Sequence, residues 1–199
     1  MKTTGMFLCA LLLGGAAFAQ SLTQADKEKG VQYLDRTRDG VAEAVKGLSD
    51  AQMKFKPAPD RWSVAETLEH IAVTEDYLFQ NVTDKVMKSP AAPAGRDTAK
   101  IDAMVVAMIA DRSHKAQAPA AVTPKGEWTP AESLAHFLAA RARTTAYLES
   151  TPDLRDHAAA SPINTALDAY QWLLYIGAHS ERHTKQILEV KADPNFPKS

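Results

Sequence analysis

The chain has 199 residues, 45% of them apolar and 24% charged, with a formal net charge of −1. A chain of this length makes one domain of ordinary size, large enough for its own core. The near-balance of charge, with no basic patch or tail, argues against a nucleic-acid partner.

The first stretch carries Lys2, runs almost wholly apolar from Met6 to Phe18, and ends on Ala17-Phe18-Ala19 before Gln20. A basic start, a short apolar run and small residues at minus three and minus one read as a secretory signal peptide, residues 1–19, cleaved after Ala19. The run is shorter than the ~20 residues of a membrane span, so no stable membrane anchor is expected after cleavage. The single cysteine, Cys9, sits inside the run and not behind a lipoprotein box. The expected product, residues 20–199, is periplasmic or secreted and free of cysteine. Subtracting Lys2 from 23 basic residues against 24 acidic ones leaves it a net charge of −2. Without thiols there are no disulfides, thiolate nucleophiles or Cys ligands, so any metal must be held by His and carboxylate. Glycine-rich phosphate loops, haem-attachment motifs and Gly-x-Ser-x-Gly elbows are also missing.

The first helix is expected near Thr23, with Asp26 as its capping partner and an inner stripe of Leu34, Thr37, Val41, Ala44 or Val45, and Leu48. Ser49 to Arg61, with Pro57 and Pro59, reads as a connection. A second helix starts at Ser63, capped with Glu66, and runs to about Lys88. Its apolar face is Val64, Leu68, Ile71, Leu78, Phe79, Val82 and Val86. His70 falls at the edge of that face, in line with Thr74, Tyr77 and Asn81. This position suits a pocket-lining residue, and on the wheel alone it suits a half-exposed surface histidine better.

Ser89 to Arg96 is a Pro/Ala/Gly loop, and Ala99 to Ala110 a short apolar helix that reads as a packing insertion. Ser113 to Glu127 is a second Pro/Ala-rich connection. The next helix opens at Thr129 with Pro130 in its first turn and Glu132 closing the capping box. Leu134, Phe137, Leu138, Thr144 and Leu148 face inward, and Arg141 falls among them. A buried guanidinium needs an anionic partner, either an inward carboxylate in a structural salt bridge or a bound ligand. Thr151 to Asn164 reads as a loop, and Thr165 with Asp168 as the start of the last helix, which ends before Pro194 and Pro197.

That last helix carries His179-Ser-Glu-Arg-His183. Residues four apart lie about 40° apart around the axis, so both imidazoles share a stripe with Trp172, Ile176 and Val190 and point inward. Buried imidazoles need partners, and two at one level can share a cation or satisfy each other as core histidines. The zinc-protease pattern His-Glu-x-x-His is missing, because Ser180 follows His179 and Glu181 lies on the far side. Four long helical runs and one short one, with no convincing strand pattern, predict an all-α four-helix bundle with a short inserted helix. Trp62-Ser-Val-Ala-Glu-Thr-Leu-Glu-His70 also matches Trp128-Thr-Pro-Ala-Glu-Ser-Leu-Ala-His136. Shared helix-start grammar explains most of this, and it makes His136 a candidate neighbour of the site. His114 and His157 fall in or near loops and read as solvated.

Trp62-Ser63-x-x-Glu66-x-Leu68-x-His70, together with His179-x-x-Arg182-His183-x-x-Gln186-Ile187, resembles the DinB-like (DinB/YfiT) superfamily over nearly the whole expected product. The resemblance implies a four-helix bundle in which His70, His179 and His183 bind a divalent metal, zinc or nickel, with a position left open. It implies two function classes. One is an exported metal-dependent transferase or hydrolase acting on a small molecule, and the other a non-catalytic metal-binding or stress-related bundle. Relatives that transfer low-molecular-weight thiols use cytosolic cofactors, which conflicts with export. A third class is an interaction module whose histidines are only core residues. Tyr77, Asn81, His136, Arg141 and Trp172 are the candidate pocket residues, no catalytic residue is named, and homodimerisation through exposed bundle faces stays open.

Overall fold

The computed structural model describes residues 21–198; the expected signal peptide, residues 1–19, lies outside them. The long helices are α1 (Gln24–Val45), α3 (Val64–Asp84), α5 (Pro130–Ser150) and α6 (Ala169–Lys191), joined by the shorter α2 (Asp50–Lys54) and α4 (Thr98–Ala110). Capping boxes start α1 at Thr23, α3 at Ser63 and α5 at Thr129, each side chain satisfying a backbone N–H that the first turn leaves orphaned.

Four boundaries depart from expectation. Ser49 and Gln52 form a further capping box, so the connection after α1 contains α2. The second long helix stops at Asp84, and a 3₁₀ turn, Val86–Lys88, follows it and buries Val86. Asp97 caps α4 through the Lys100 N–H, which brings Thr98 into the helix. At the last helix Asp168 is the cap itself, with Gln171 completing the box. Residues 165–168 are drawn away because Leu167–Asp168 pairs antiparallel with Ala158–Ala159, a two-stranded ladder of two residues each. Apart from an isolated bridge between Ala91 and His157, the regular structure among the described residues is otherwise helical.

Helix direction sets the topology. In α1 and α6 the chain runs the same way: Gly30 meets Tyr170, Tyr33 bonds Glu181, and Lys191 bonds the Ala44 carbonyl. Along α3 and α5 it also runs one way, with Asp76 bonded to His136 and Phe79 packed on Tyr147. Between α1 and α5 it reverses, since Lys27 reaches the Glu149 carbonyl and Arg141 the Leu34 carbonyl. Parallel neighbours need a return crossing. α4 provides it for α3 and α5, lying along α6 from Thr98, beside Gln171, to Ala110, beside Lys185. The short helix expected as an insertion is therefore the crossover that this topology requires.

The core is layered. Leu34, Leu78, Val82, Leu148, Leu173 and Ile176 fill one half, and Val41, Leu68, Ile71, Phe137, Ile187 and Val190 the other. Each such apolar side chain contributes ~1.5–3 kcal/mol by leaving water. Between the halves lies a buried polar layer of Thr37, Glu75, Arg141, Thr144 and Ser180. α1 and α6 approach closely at Gly177, where an added Cβ would stand 2.9 Å from the Tyr33 ring.

Candidate metal centre

The Ser63 box fixes the phase of α3 and so the place of His70 one turn further on, while α6 carries His179 and His183 on the facing surface. The three rings meet. Nε2 of His70 stands 3.1 Å from Nε2 of His179 and 3.2 Å from Nε2 of His183. Ring centroids are 4.4 to 4.9 Å apart. One ligand atom from each of the three lies within 4.8 Å of the others.

Partner chemistry assigns two of the tautomers. His70 Nδ1 lies 2.7 Å from the Val122 carbonyl, which can only accept, so Nδ1 carries the proton. His183 Nδ1 lies 2.9 Å from Gln186 Oε1, and that oxygen also accepts from Arg112 at 3.0 Å, which orients the amide. Both Nε2 atoms are then bare, and two lone pairs face each other at 3.2 Å. His179 can offer a proton to one of them and not to both. Two nitrogens bound at ~2.0–2.1 Å to one tetrahedral ion stand ~3.3 Å apart, so the observed spacing fits a shared cation.

Burial favours the neutral rings that a metal needs. It pushes His70 below the usual imidazole range and His179 and His183 well below it, with mutual repulsion of positive charge adding to the last two. His70 and His183 are buried, and His179 is half-buried and the most accessible of the three. Trp62 covers the other side, 4.8 Å from the His70 ring and 6.5 Å from His183.

Several residues that serve this arrangement escaped the sequence. Val122 belongs to a 3₁₀ turn, Ala120–Val122, inside what reads as a plain connection. Glu69, beside His70, is 5% exposed and accepts the backbone N–H groups of Lys125, Gly126 and Glu127 at 2.9 to 3.3 Å. It thereby fastens the segment that presents the Val122 carbonyl. In the sequence Gln186, on the same face as His183, stands out only as part of a motif, and Arg112 carries no signal.

The other expected site residues lie elsewhere. Among the described residues, the hydrogen bonds and ring contacts outward from the triad go to Trp62, Thr74, Val122 and Gln186. Tyr77 is exposed and Asn81 half-buried. His136 stacks on Trp128 and bonds Asp76 at 2.5 Å, with Arg143 on the same carboxylate. Arg141 is fully buried, and all five of its N–H groups are used, on Glu75, Leu34, Thr37 and Ser180. It is a structural salt bridge with no donor left for a ligand. Trp172 is buried and stacked on Tyr175. His114 is exposed as expected, but His157 is half-buried because its Nδ1 bonds the Ser89 carbonyl.

Comparison with known proteins agrees with this architecture. A solved structure, "YfiT from Bacillus subtilis is a probable metal-dependent hydrolase with an unusual four-helix bundle topology", superposes with a TM-score of 0.55 at 18% identity, covering 89% of this chain and 93% of that one. The uncharacterized protein YuaE of Bacillus subtilis (strain 168) is 26% identical over 149 residues, 74% of this chain and 88% of its own. The DinB superfamily model matches residues 33–187, from the middle of α1 to the last turns of α6, a span that contains all three imidazoles. The crossed bundle and this match together make the chain a member of the DinB superfamily.

Proposed function

We propose that this chain is a metal-dependent enzyme that hydrolyses a small molecule, and that it works outside the cytosol. The observation that carries the reading is the pair of bare Nε2 lone pairs of His70 and His183, 3.2 Å apart with His179 beside them. His70, His179 and His183 would hold the ion, zinc or nickel, both of which suit imidazole. A divalent ion in such a site supplies Lewis acidity, polarising a carbonyl or lowering the pKa of water.

The chain's own residues do the rest. Val122 and Gln186 keep the Nδ1 protons in place, so the Nε2 atoms stay available as donors to the ion. Trp62 closes one side, and the half-exposed edge of His179 leaves a side for approach. Glu181 takes no part as a helix-borne base, since it accepts from Tyr33 at 3.0 Å and pairs with Lys185 at 2.9 Å. Lys2, the Met6–Phe18 run and Ala17-Phe18-Ala19 support export. Separation from cytosolic thiols then favours hydrolysis over thiol transfer.

The test joins metal analysis to an activity screen. Protein purified without a histidine tag is expected to carry about one equivalent of zinc or nickel, and to hydrolyse an ester, amide or lactone in a chelator-sensitive way. A metal content below about a tenth of an equivalent would end the reading. Metal-dependent stability with no turnover on any substrate would support the non-catalytic bundle instead. Expressed from Met1, the chain should be recovered outside the cytosol and shortened to Gln20.

A further inference from the structure

The half-buried residues Tyr175, His179, Arg182 and Gln186 follow one another at spacings of four, three and four, which places them in one line along α6. His179 is the accessible member of the triad, so this line marks the approach to it.

Two members of the line have donors to spare. Arg182 makes one hydrogen bond, to the His114 carbonyl at 2.7 Å, and no ion pair among the described residues. A guanidinium has five donors, so tethering that loop uses one of them. Four other enclosed arginines are matched, Arg96 with Asp168, Arg112 with Glu189, Arg141 with Glu75 and Arg155 with Asp102, whereas half-buried Arg61, like Arg182, has no ion pair among the described residues. The Tyr175 hydroxyl has no hydrogen-bond partner among the described residues, and Arg182 acts on it electrostatically, as it does on His179. Tyr175 stacks at 5.3 Å on Trp172, whose buried indole N–H is likewise unpartnered.

Charge points the same way. The three candidate ligands are imidazoles, and no carboxylate belongs to the group. A dication held by neutral rings keeps its full charge, and Arg182 adds another. Of the nearby acids, Glu189 is taken by Arg112 and Glu75 by Arg141, while Asp111 acts on Arg182 from an exposed position where solvent screens its charge. A partly dry site with surplus positive charge and unspent N–H and O–H donors selects for an acid.

We propose that the substrate is an anionic small molecule whose acidic group, carboxylate or phosphate, is received by Arg182 and Tyr175 beside the metal ligands. The proposal rests on the metal reading above and adds the substrate class.

The test uses the full chain without its first 19 residues, loaded with cobalt(II) and titrated with succinate, inorganic phosphate and the neutral succinamide, read by the visible spectrum. Succinate or phosphate should perturb the spectrum, the better of the two naming the acid, and succinamide should not. Arg182→Gln should weaken that binding about tenfold or more, and Tyr175→Phe about threefold, both at full metal content. Unchanged acid binding by metal-loaded Arg182→Gln, or equal binding of succinamide, would overturn the proposal and leave the metal reading standing. Failure of the unsubstituted chain to take up cobalt would remove both. Should Arg182→Gln not fold, Tyr175→Phe decides, and unchanged affinity there overturns the proposal.

Discussion

Glu69 holds Gly126 by both carboxylate oxygens, at 3.1 and 2.9 Å from its backbone N–H. Gly126 has φ +71°, in the left-handed region where a Cβ is disfavoured. This contact keeps residues 122–127 against α3 and, through the Val122 carbonyl, keeps the Nδ1 proton on His70. Glu69→Gln turns an acceptor-only group into one whose NH2 faces other N–H donors. The expected loss is about 2 kcal/mol of stability, with metal affinity weakened as well because His70 is no longer held in one tautomer. Calorimetry and metal titration of the same preparation check both. An unchanged metal affinity would show that the segment does not orient His70.

The triad itself should behave as one unit. Alanine at His70, His179 or His183 removes one of three neutral donors, and each single change is expected to empty the site to below about a tenth of an equivalent. The metal should raise the melting temperature of the original chain and leave that of each variant unmoved. If all three variants retain full metal, the ion is held elsewhere.

Acidity should loosen the fold with a definite sign. The three imidazoles are held below the usual value of ~6.5, chiefly by burial. Between that value and their lower folded values, the unfolded chain binds more protons than the folded one. The stability of the metal-free protein therefore falls as pH drops below ~6.5 and levels off once the folded rings also protonate. A variant with all three histidines replaced by alanine should lose this dependence, which melting curves from about pH 7 to 5 would read. Metal should leave over the same window, since protons compete for the same lone pairs.

Much of this was legible beforehand because helix starts are local chemistry. Thr23 with Asp26, Ser63 with Glu66 and Thr129 with Glu132 mark their helices within a few residues, and the His179–His183 stripe follows from helical period alone. The sequence places the last helix start three residues early, because Thr165-x-x-Asp168 satisfies the same grammar as Asp168-x-x-Gln171. The pairing of Leu167 with Ala159, eight residues back and outside any helix, decides between them. His70 looked half-exposed on its own wheel and is 3% exposed, because Trp62 and the Val122 segment cover it from outside α3. Glu69 gives no signal in the sequence, because a helix carboxylate is ordinarily solvated. Nor does periodicity record direction, so α4 looked like an insertion and not the return crossing between parallel helices.

The close approach of α1 and α6 should tolerate little. Gly177→Ala places a methyl group 2.9 Å from Cε1 of Tyr33 and 3.4 Å from Cδ2 of Leu34. Alanine gains helix propensity by ~1 kcal/mol, so a clash-free site would be stabilised. Instead the Tyr33 ring must shift, which disturbs its 3.0 Å bond to Glu181, and overpacking of this kind costs about 1–3 kcal/mol. A net loss of stability is expected, and a gain in melting temperature would mean that the helices can separate freely.

The buried layer of Arg141 and Glu75 makes the sharpest stability prediction. Their two hydrogen bonds are both 2.8 Å, and Thr144 gives Glu75 a third at 2.9 Å. Arg141 further binds Ser180, the neighbour of His179, while Glu75 is the neighbour of Thr74 on the His70 helix. The pair therefore sets the level of α6 against α3, and with it the level of the three imidazoles. Arg141→Met leaves a buried carboxylate without its cation and should cost about 3–5 kcal/mol. Arg141→Met with Glu75→Leu removes both charges and should recover most of that loss. Stability alone would then look nearly restored, but nothing would any longer hold Ser180 to Glu75. Weaker metal binding in the well-folded double variant is thus the expected outcome, measured by competition with a chelator. Equal affinity would mean that the apolar layers by themselves align the two helices that carry the histidines.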